Sequence, residues 1–258
     1  MDTTNYVDIN AETVDRWVDE GWEWGVPTDH ERFARAQNGD WEVGLTPIKR
    51  VPREWFGEPT GKKLLGLASG GGQQMPIFVA AGAVCTVLDY SDRQLQNERL
   101  VAEREGYDIE IVKADMTKRL PFDDKSFDII FHPVSNCYVE DVQHVWNECY
   151  RVLRRGGRLI AGMDNGINYL FDEDMATGTP DNLVVVNKLP FNPLKDPEVY
   201  EKCIREDWGI QFSHTFEEQV GGQLRAGFTL KDLYEDYNSE GALKEYIPTY
   251  LATLAQRT

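Results

Sequence analysis

The sequence predicts an α/β fold, doubly wound, with a mostly parallel sheet and helices on both faces. The first observation behind this is the alternation from Lys62 onward, where short apolar runs and helical patterns follow in the order strand, turn, helix, strand. The second is size: 258 residues, 41% hydrophobic and 11% aromatic, fit either one large α/β domain or a core of ~200 residues with appended pieces, and suffice to bury a sizeable interior. No internal repeat or low-complexity segment is visible.

Residues 1–60 hold five of the seven tryptophans, Trp17, Trp22, Trp24, Trp41 and Trp55. Val14, Trp17 and Val18 repeat at helical spacing after Asn10, which reads as an N-cap. A second helix is expected from Asp29 to about Gln37, ended by Gly39. Lys63–Ala68 reads as a strand, Ser69-Gly70-Gly71-Gly72 as a tight turn, and Gln74–Ala81 as a helix with Pro76 in its first turn.

Val84–Asp89 is the second strand and Ser91–Glu105 a polar helix stopped by Gly106. Asp108–Ala114 and Phe127–His132 follow as strands, Val139–Leu153 as an amphipathic helix, and Arg158–Met163 as a strand after the Gly156-Gly157 turn. The stretch from about 165 to 212 breaks the rhythm. It is rich in Asp, Asn and Pro, contains a candidate short strand at Leu183–Val186, and is too small to form a core alone, so it reads as an insertion. A helix near Phe216–Ala226 and strands near Phe228–Tyr234 and Ile247–Ala255 resume the pattern, with Pro248 at the tolerant start of the last.

The formal charge of −17 argues against phosphate neutralisation and against binding anionic lipid heads, so nucleic acid and membrane are not expected partners. The acidic amino end and the lack of a long apolar run predict a soluble cytoplasmic protein. Four cysteines without a CxxC pair and four histidines without ligand-like spacing suggest neither a disulfide framework nor a metal site.

Three features carry chemistry. The run Leu64-Leu65-Gly66-Leu67-Ala68-Ser69-Gly70-Gly71-Gly72 takes an apolar strand into small residues and a helix, a turn that lets a ligand approach the backbone. Met75 prevents a G-x-G-x-x-G spacing, and no P-loop lysine follows. Asp89 ends the second strand, where a carboxylate can accept from ribose hydroxyls, and Tyr90 can pack on a base. Asp115, followed by Met116, ends the third, where it can meet an adenine amino group. Taken singly, these are also what a tight turn, a helix-capping acid and a turn acid look like.

In this order, at successive strand ends, they resemble the class I S-adenosylmethionine-dependent methyltransferases, particularly the branch acting on small molecules. The likeness extends to Leu120-Pro121-Phe122, Ser126-Phe127-Asp128, the run Tyr150 to Gly157, and Gln223 to Phe228. It covers about 62–164 and 215–255.

The resemblance implies a seven-stranded Rossmann-like sheet, with six parallel strands and an antiparallel seventh beside the fifth. It also implies S-adenosyl-L-methionine as cofactor, with Gly70 and Gly72 admitting its methionine part, Asp89 its ribose and Asp115 its adenine, so that Ala68, Ser69, Tyr90, Met116 and His132 join these as cofactor-site candidates. Gly66 departs from it, standing where the family usually carries an acid that helps receive the cofactor's amino group. Ala68 is a milder departure, in place of a usual Gly.

The fourth strand ends in His132-Pro133-Val134-Ser135-Asn136-Cys137-Tyr138, and the resemblance implies that these positions line the methyl-transfer site. His132 is a candidate general base, and Asn136 and Tyr138 candidate acceptor-orienting groups, with packing or helix entry as the plain alternative.

The expected organisation is an aromatic-rich N-terminal cap at 1–60 and a methyltransferase domain at 61–258 with a lid-like insertion at about 165–212. Two of the five early tryptophans are expected to reach the cleft. The reaction expected is direct in-line methyl transfer to a small-molecule acceptor. A catalytically silent S-adenosylmethionine-binding sensor or partner subunit is the alternative that Gly66 motivates. Residues 1–60, 61–164 and 165–258 carry net charges of −7, −2 and −8, so the acid lies mostly outside the cofactor half. That pattern favours a neutral or cationic acceptor.

Overall fold

The strands are β1 (Lys63–Leu67), β2 (Val84–Asp89), β3 (Glu110–Lys113), β4 (Phe127–His132), β5 (Leu153–Asp164), β6 (Phe228–Asp236) and β7 (Tyr250–Arg257). In the computed structural model, which describes residues 6–172 and 182–258, they form one sheet in the order β3-β2-β1-β4-β5-β7-β6. β1 pairs in parallel with β2 and β4, β2 with β3, and β4 with β5, while β7 runs antiparallel between β5 and β6. The expected seven-stranded arrangement is therefore present. Because the order reverses at β1, the carboxyl ends of β1 and β4 flank the crevice where such sheets bind ligands.

Side chains alternate across the sheet. Leu65, Ile130, Leu159 and Ala161 face one core with Val145, Trp146 and Cys149 of α5 (Val142–Val152). Their neighbours Leu64, Ile129, Phe131 and Ile160 face the other, against Ile77 and Phe78 of α3 (Met75–Ala80). Ser91 caps α4 (Asp92–Glu105) by accepting from Gln94 N–H, and Gly106 ends it in the left-handed conformation. The short α7 (Gly222–Ala226) continues a π turn at Glu217–Gly221, inside the stretch read as one helix.

Residues up to 60 divide in two. Trp41 and Trp55 are buried in the second core, and Trp55 Nε1 donates to Asp232 at 3.0 Å. The preceding part, α1 (Tyr6–Asp19), the 3-10 turn Glu23–Gly25 and α2 (His30–Gln37), packs on α4 and on the insertion. Asp29 caps α2, as expected.

Several expectations change. Asn10 is not an N-cap: it lies inside α1, buried, where its carboxamide donates to Ile210 O at 2.9 Å and accepts from Ile210 N–H at 2.6 Å. The helix after β4 begins at Val142, capped by Asp141, because Asn136–Tyr138 first forms a 3-10 turn. Leu183–Val186 is no strand; Val184, Val185 and Val186 are exposed. The insertion instead holds α6 (Pro197–Arg205), capped by Asp196 with Pro197 in its first turn. Residues 173–181 of that insertion lie outside the described residues. β5 starts at Leu153, with Gly156 at φ +79° and a register shift opposite Phe127–Ile129 where a turn was expected. The last strand begins at Tyr250, beyond Pro248. Among the described residues no helix is long and apolar enough to cross a membrane.

Candidate active site

A cavity of about 1030 Å3 lies over the carboxyl ends of β1 to β5. That is at the top of the ~300–1,000 Å3 range of single-ligand pockets, so it has room for two ligands. Its walls include Ala68, Ser69 and Gly70, then Asp89, Tyr90, Asp115 and Met116.

The turn after β1 is built by tight packing. Ala68 takes φ +48°, and Gly70 N–H donates to Asp89 Oδ2 at 2.9 Å. A Cβ on Gly70 would stand 2.7 Å from Gln94 Cβ, so a larger residue would push the turn off α4. Gly72 does not line the cavity. Its N–H donates to the buried Glu98 at 3.0 Å, and a Cβ there would meet Val101 at 2.7 Å. Its small size serves helix packing rather than ligand approach.

Asp89 Oδ1 accepts from the N–H groups of Tyr90 (2.8 Å) and Ser91 (3.1 Å). Burial pushes its pKa up while these bonds and that from Gly70 oppose the shift. With three of about four acceptor sites used, Oδ2 keeps capacity for a ligand hydroxyl. Asp115 Oδ1 accepts from Thr117 N–H at 2.7 Å, which fixes the turn after β3. The Tyr90 hydroxyl donates to Asp8 at 2.8 Å, tying α1 to this end of the cavity.

Gly66 has a packing reason. A Cβ there would lie 2.5 Å from Met75 Sδ, and Met75 is fully buried, so the thioether fills the space an acid would need. Nearby on the cavity wall, Ser69 Oγ and Gln74 Oε1 are buried without hydrogen-bond partners.

Beyond β4 the structure separates the expected residues. Tyr138 lines the cavity, but His132 and Asn136 do not. His132 is fully buried, with Nδ1 2.9 Å from Leu67 O, Nε2 2.8 Å from the Asn136 carboxamide, and the Trp146 ring edge-on to it at 5.9 Å. Burial lowers its pKa, which favours the neutral ring, and both ring nitrogens are already engaged, by the Leu67 carbonyl and by Asn136 Oδ1. Asn136 in turn reaches Gln219 at 2.9 Å. This hydrogen-bonded chain stands behind the cavity wall, and the imidazole does not line the cavity.

Residues unassigned from sequence also line the cavity. Three early tryptophans reach it, Trp17, Trp22 and Trp24, where two were expected, and Trp208 joins them from the insertion. Asp164 ends β5 on the cavity wall. It is 3% exposed; Oδ1 accepts from Gly166 N–H at 2.8 Å, and Oδ2 has no partner. Burial pushes its pKa up to about 6. The signal was available: an acid directly after the apolar run Leu159–Met163, as Asp89 follows Val84–Leu88.

A family model described as a methyltransferase domain matches residues 65–161, the span from β1 to β5. The chain is 42% identical over 246 residues to an uncharacterized methyltransferase of Bacillus subtilis, YbaJ, covering 95% of each. It belongs to the class I S-adenosylmethionine-dependent methyltransferases.

Solved structures agree on the fold of this methyltransferase. An S-adenosylmethionine-dependent methyltransferase from Mesorhizobium loti superposes with a TM-score of 0.61 at 21% identity, covering 80% of this chain and 95% of that one. The 1,6-didemethyltoxoflavin-N1-methyltransferase of Burkholderia thailandensis, solved with bound 1,6-didemethyltoxoflavin and S-adenosylhomocysteine, gives a TM-score of 0.61 at 14% identity, covering 100% of this chain and 91% of that one.

Proposed function

We propose that this methyltransferase moves the sulfonium methyl of S-adenosylmethionine onto a small-molecule acceptor by direct in-line displacement. The observation that supports this best is a row of groups on one cavity wall that follows the strand order. Asp115 stands after β3, Asp89 at β2, Ala68–Gly70 after β1, Pro133–Ser135 with Cys137 and Tyr138 after β4, and Asp164 at β5.

In this reading Asp115 and Met116 hold the adenine, Asp89 and Tyr90 the ribose, and Ala68, Ser69 and Gly70 the methionine part. Ser69 Oγ and Gln74 Oε1, buried and unpartnered, supply acceptors for the cofactor's amino group where Gly66 offers no acid. When bound, the cofactor supplies an already activated methyl group. The chain therefore has to orient the acceptor and exclude water, work suited to a cavity covered by α1 and the insertion. We assign Tyr138 to orienting the acceptor, and His132 with Asn136 to bracing the segment after β4. The absence of lysine, arginine and histidine from the described cavity walls disfavours a polynucleotide acceptor.

Incubating the chain with methyl-labelled S-adenosylmethionine and a metabolite extract, followed by untargeted mass spectrometry, is expected to yield labelled low-mass products. Label found only in nucleic acid or protein would overturn the small-molecule reading.

A further inference from the structure

We infer that Asp164 is the anchor for a cationic nitrogen on the acceptor, so that the substrate class is an aromatic or apolar amine. This deepens the function proposed above and rests on it.

Position is the first support. Three inter-strand steps separate β2 from β5, about 14 Å at ~4.8 Å each, so Asp164 lies well beyond the ribose carboxylate and on the far side of β4 from the turn after β1. In the proposed row it falls on the acceptor's side of the methyl group. The neighbouring strand brings Tyr250 opposite Asp164 in register, and Tyr138 and Tyr169 come from the segments after β4 and β5. Burial raises the pKa of Tyr169 and Tyr250, so both stay neutral phenols.

Charge is the second. Six carboxylates line the cavity, Glu20, Asp89, Asp115, Asp164, Glu206 and Asp207, and no lysine, arginine or histidine does among the described residues. Residues 173–181 of the insertion, Glu173 to Asp181, add none by sequence. Arg16 pairs with Asp207 and Arg205 with Glu206, and backbone N–H groups hold Asp89. Glu20 and Asp115 also lack a cation, but Asp164 alone of the six is buried with an oxygen that has no partner.

An unpaired buried carboxylate is costly to maintain, and a ligand ammonium removes that cost. Phe171, Phe191 and Trp208 supply aromatic surface in the same cavity, which suits an amine carried on an aromatic or apolar body. An anionic acceptor would meet repulsion with no compensating cation.

The test is calorimetry on the full chain loaded with S-adenosylhomocysteine, using tryptamine and its carboxylate counterpart indole-3-propanoate as probes, in wild type and Asp164→Asn. Tryptamine is expected to bind wild type at least about tenfold more tightly than the carboxylate, and to lose at least about tenfold in the variant. S-adenosylhomocysteine affinity should be the same in both proteins. The wild-type preference between the two probes reads the proposal even if the variant folds poorly. No saturable tryptamine binding, equal affinity for the two probes, or an unchanged amine affinity in a folded Asp164→Asn would each overturn it. Failure of S-adenosylhomocysteine itself to bind would instead overturn the cofactor site.

Discussion

At Asp164 the folded protein holds a proton more tightly than the unfolded chain, because burial raises the carboxyl from 3.8 to about 6. Stability from this group is therefore full below pH ~4 and is lost as pH rises through 6. Asp164→Asn, which cannot ionise, is expected to be more stable than wild type at pH 8, by up to about 3 kcal/mol, and to show no gain at pH 3. Thermal melts across pH check this; a gain that does not change with pH would contradict it. Gly66 makes the opposite kind of prediction. Gly66→Ala should cost about 1–3 kcal/mol by overpacking Met75, and less than that in a Met75→Ala background, as a double-mutant cycle of denaturant midpoints would show. Additive losses would mean the two residues do not compete for space. Asp89 and Asp115 were legible in the sequence because each ends an apolar strand. Asp164 obeys the same rule, but it sits where the regular alternation breaks off, and its unmatched oxygen is a property of packing that no spacing encodes.

Among the elements, α1 joins the two ends of the cavity. Its Asp19 pairs with Arg93 on α4 at 3.0 Å, while Asn10 clamps Ile210 of the insertion through two hydrogen bonds. Tyr6 packs edge-on to Phe212, at 5.2 Å, in a small core that also holds Cys203 of α6. Asn10→Ala leaves both backbone groups of the buried Ile210 unpaired, a loss of about 1–3 kcal/mol. It should lower Tm by several degrees and speed proteolysis within 182–212. A variant as stable and as protease-resistant as wild type would separate α1 from the insertion. The strands and the helices of the repeating part were legible from alternation and caps. Asn10 was misread because an N-cap and a buried mid-helix Asn are the same letter, and its partner lies two hundred residues away. α6 was missed although Asp196-Pro197 is a good helix start and Val199, Tyr200, Cys203 and Ile204 repeat at helical spacing. The dense Asn, Asp and Pro around it hid the pattern.

For the whole molecule, the sheet order sets the chemistry. The reversal at β1 opens the cleft, and parallel strands point their carboxyl ends and acids into it, so a chain of −17 charge concentrates carboxylates on a cavity that no cation lines among the described residues. A cationic cofactor and an amine acceptor both suit that field. The most direct measurement is titration calorimetry of S-adenosylhomocysteine into wild type and Asp89→Ala. Saturable one-site binding that weakens at least about tenfold in the variant is the predicted result. No binding to wild type, or equal affinity in a folded Asp89→Ala, would contradict the account.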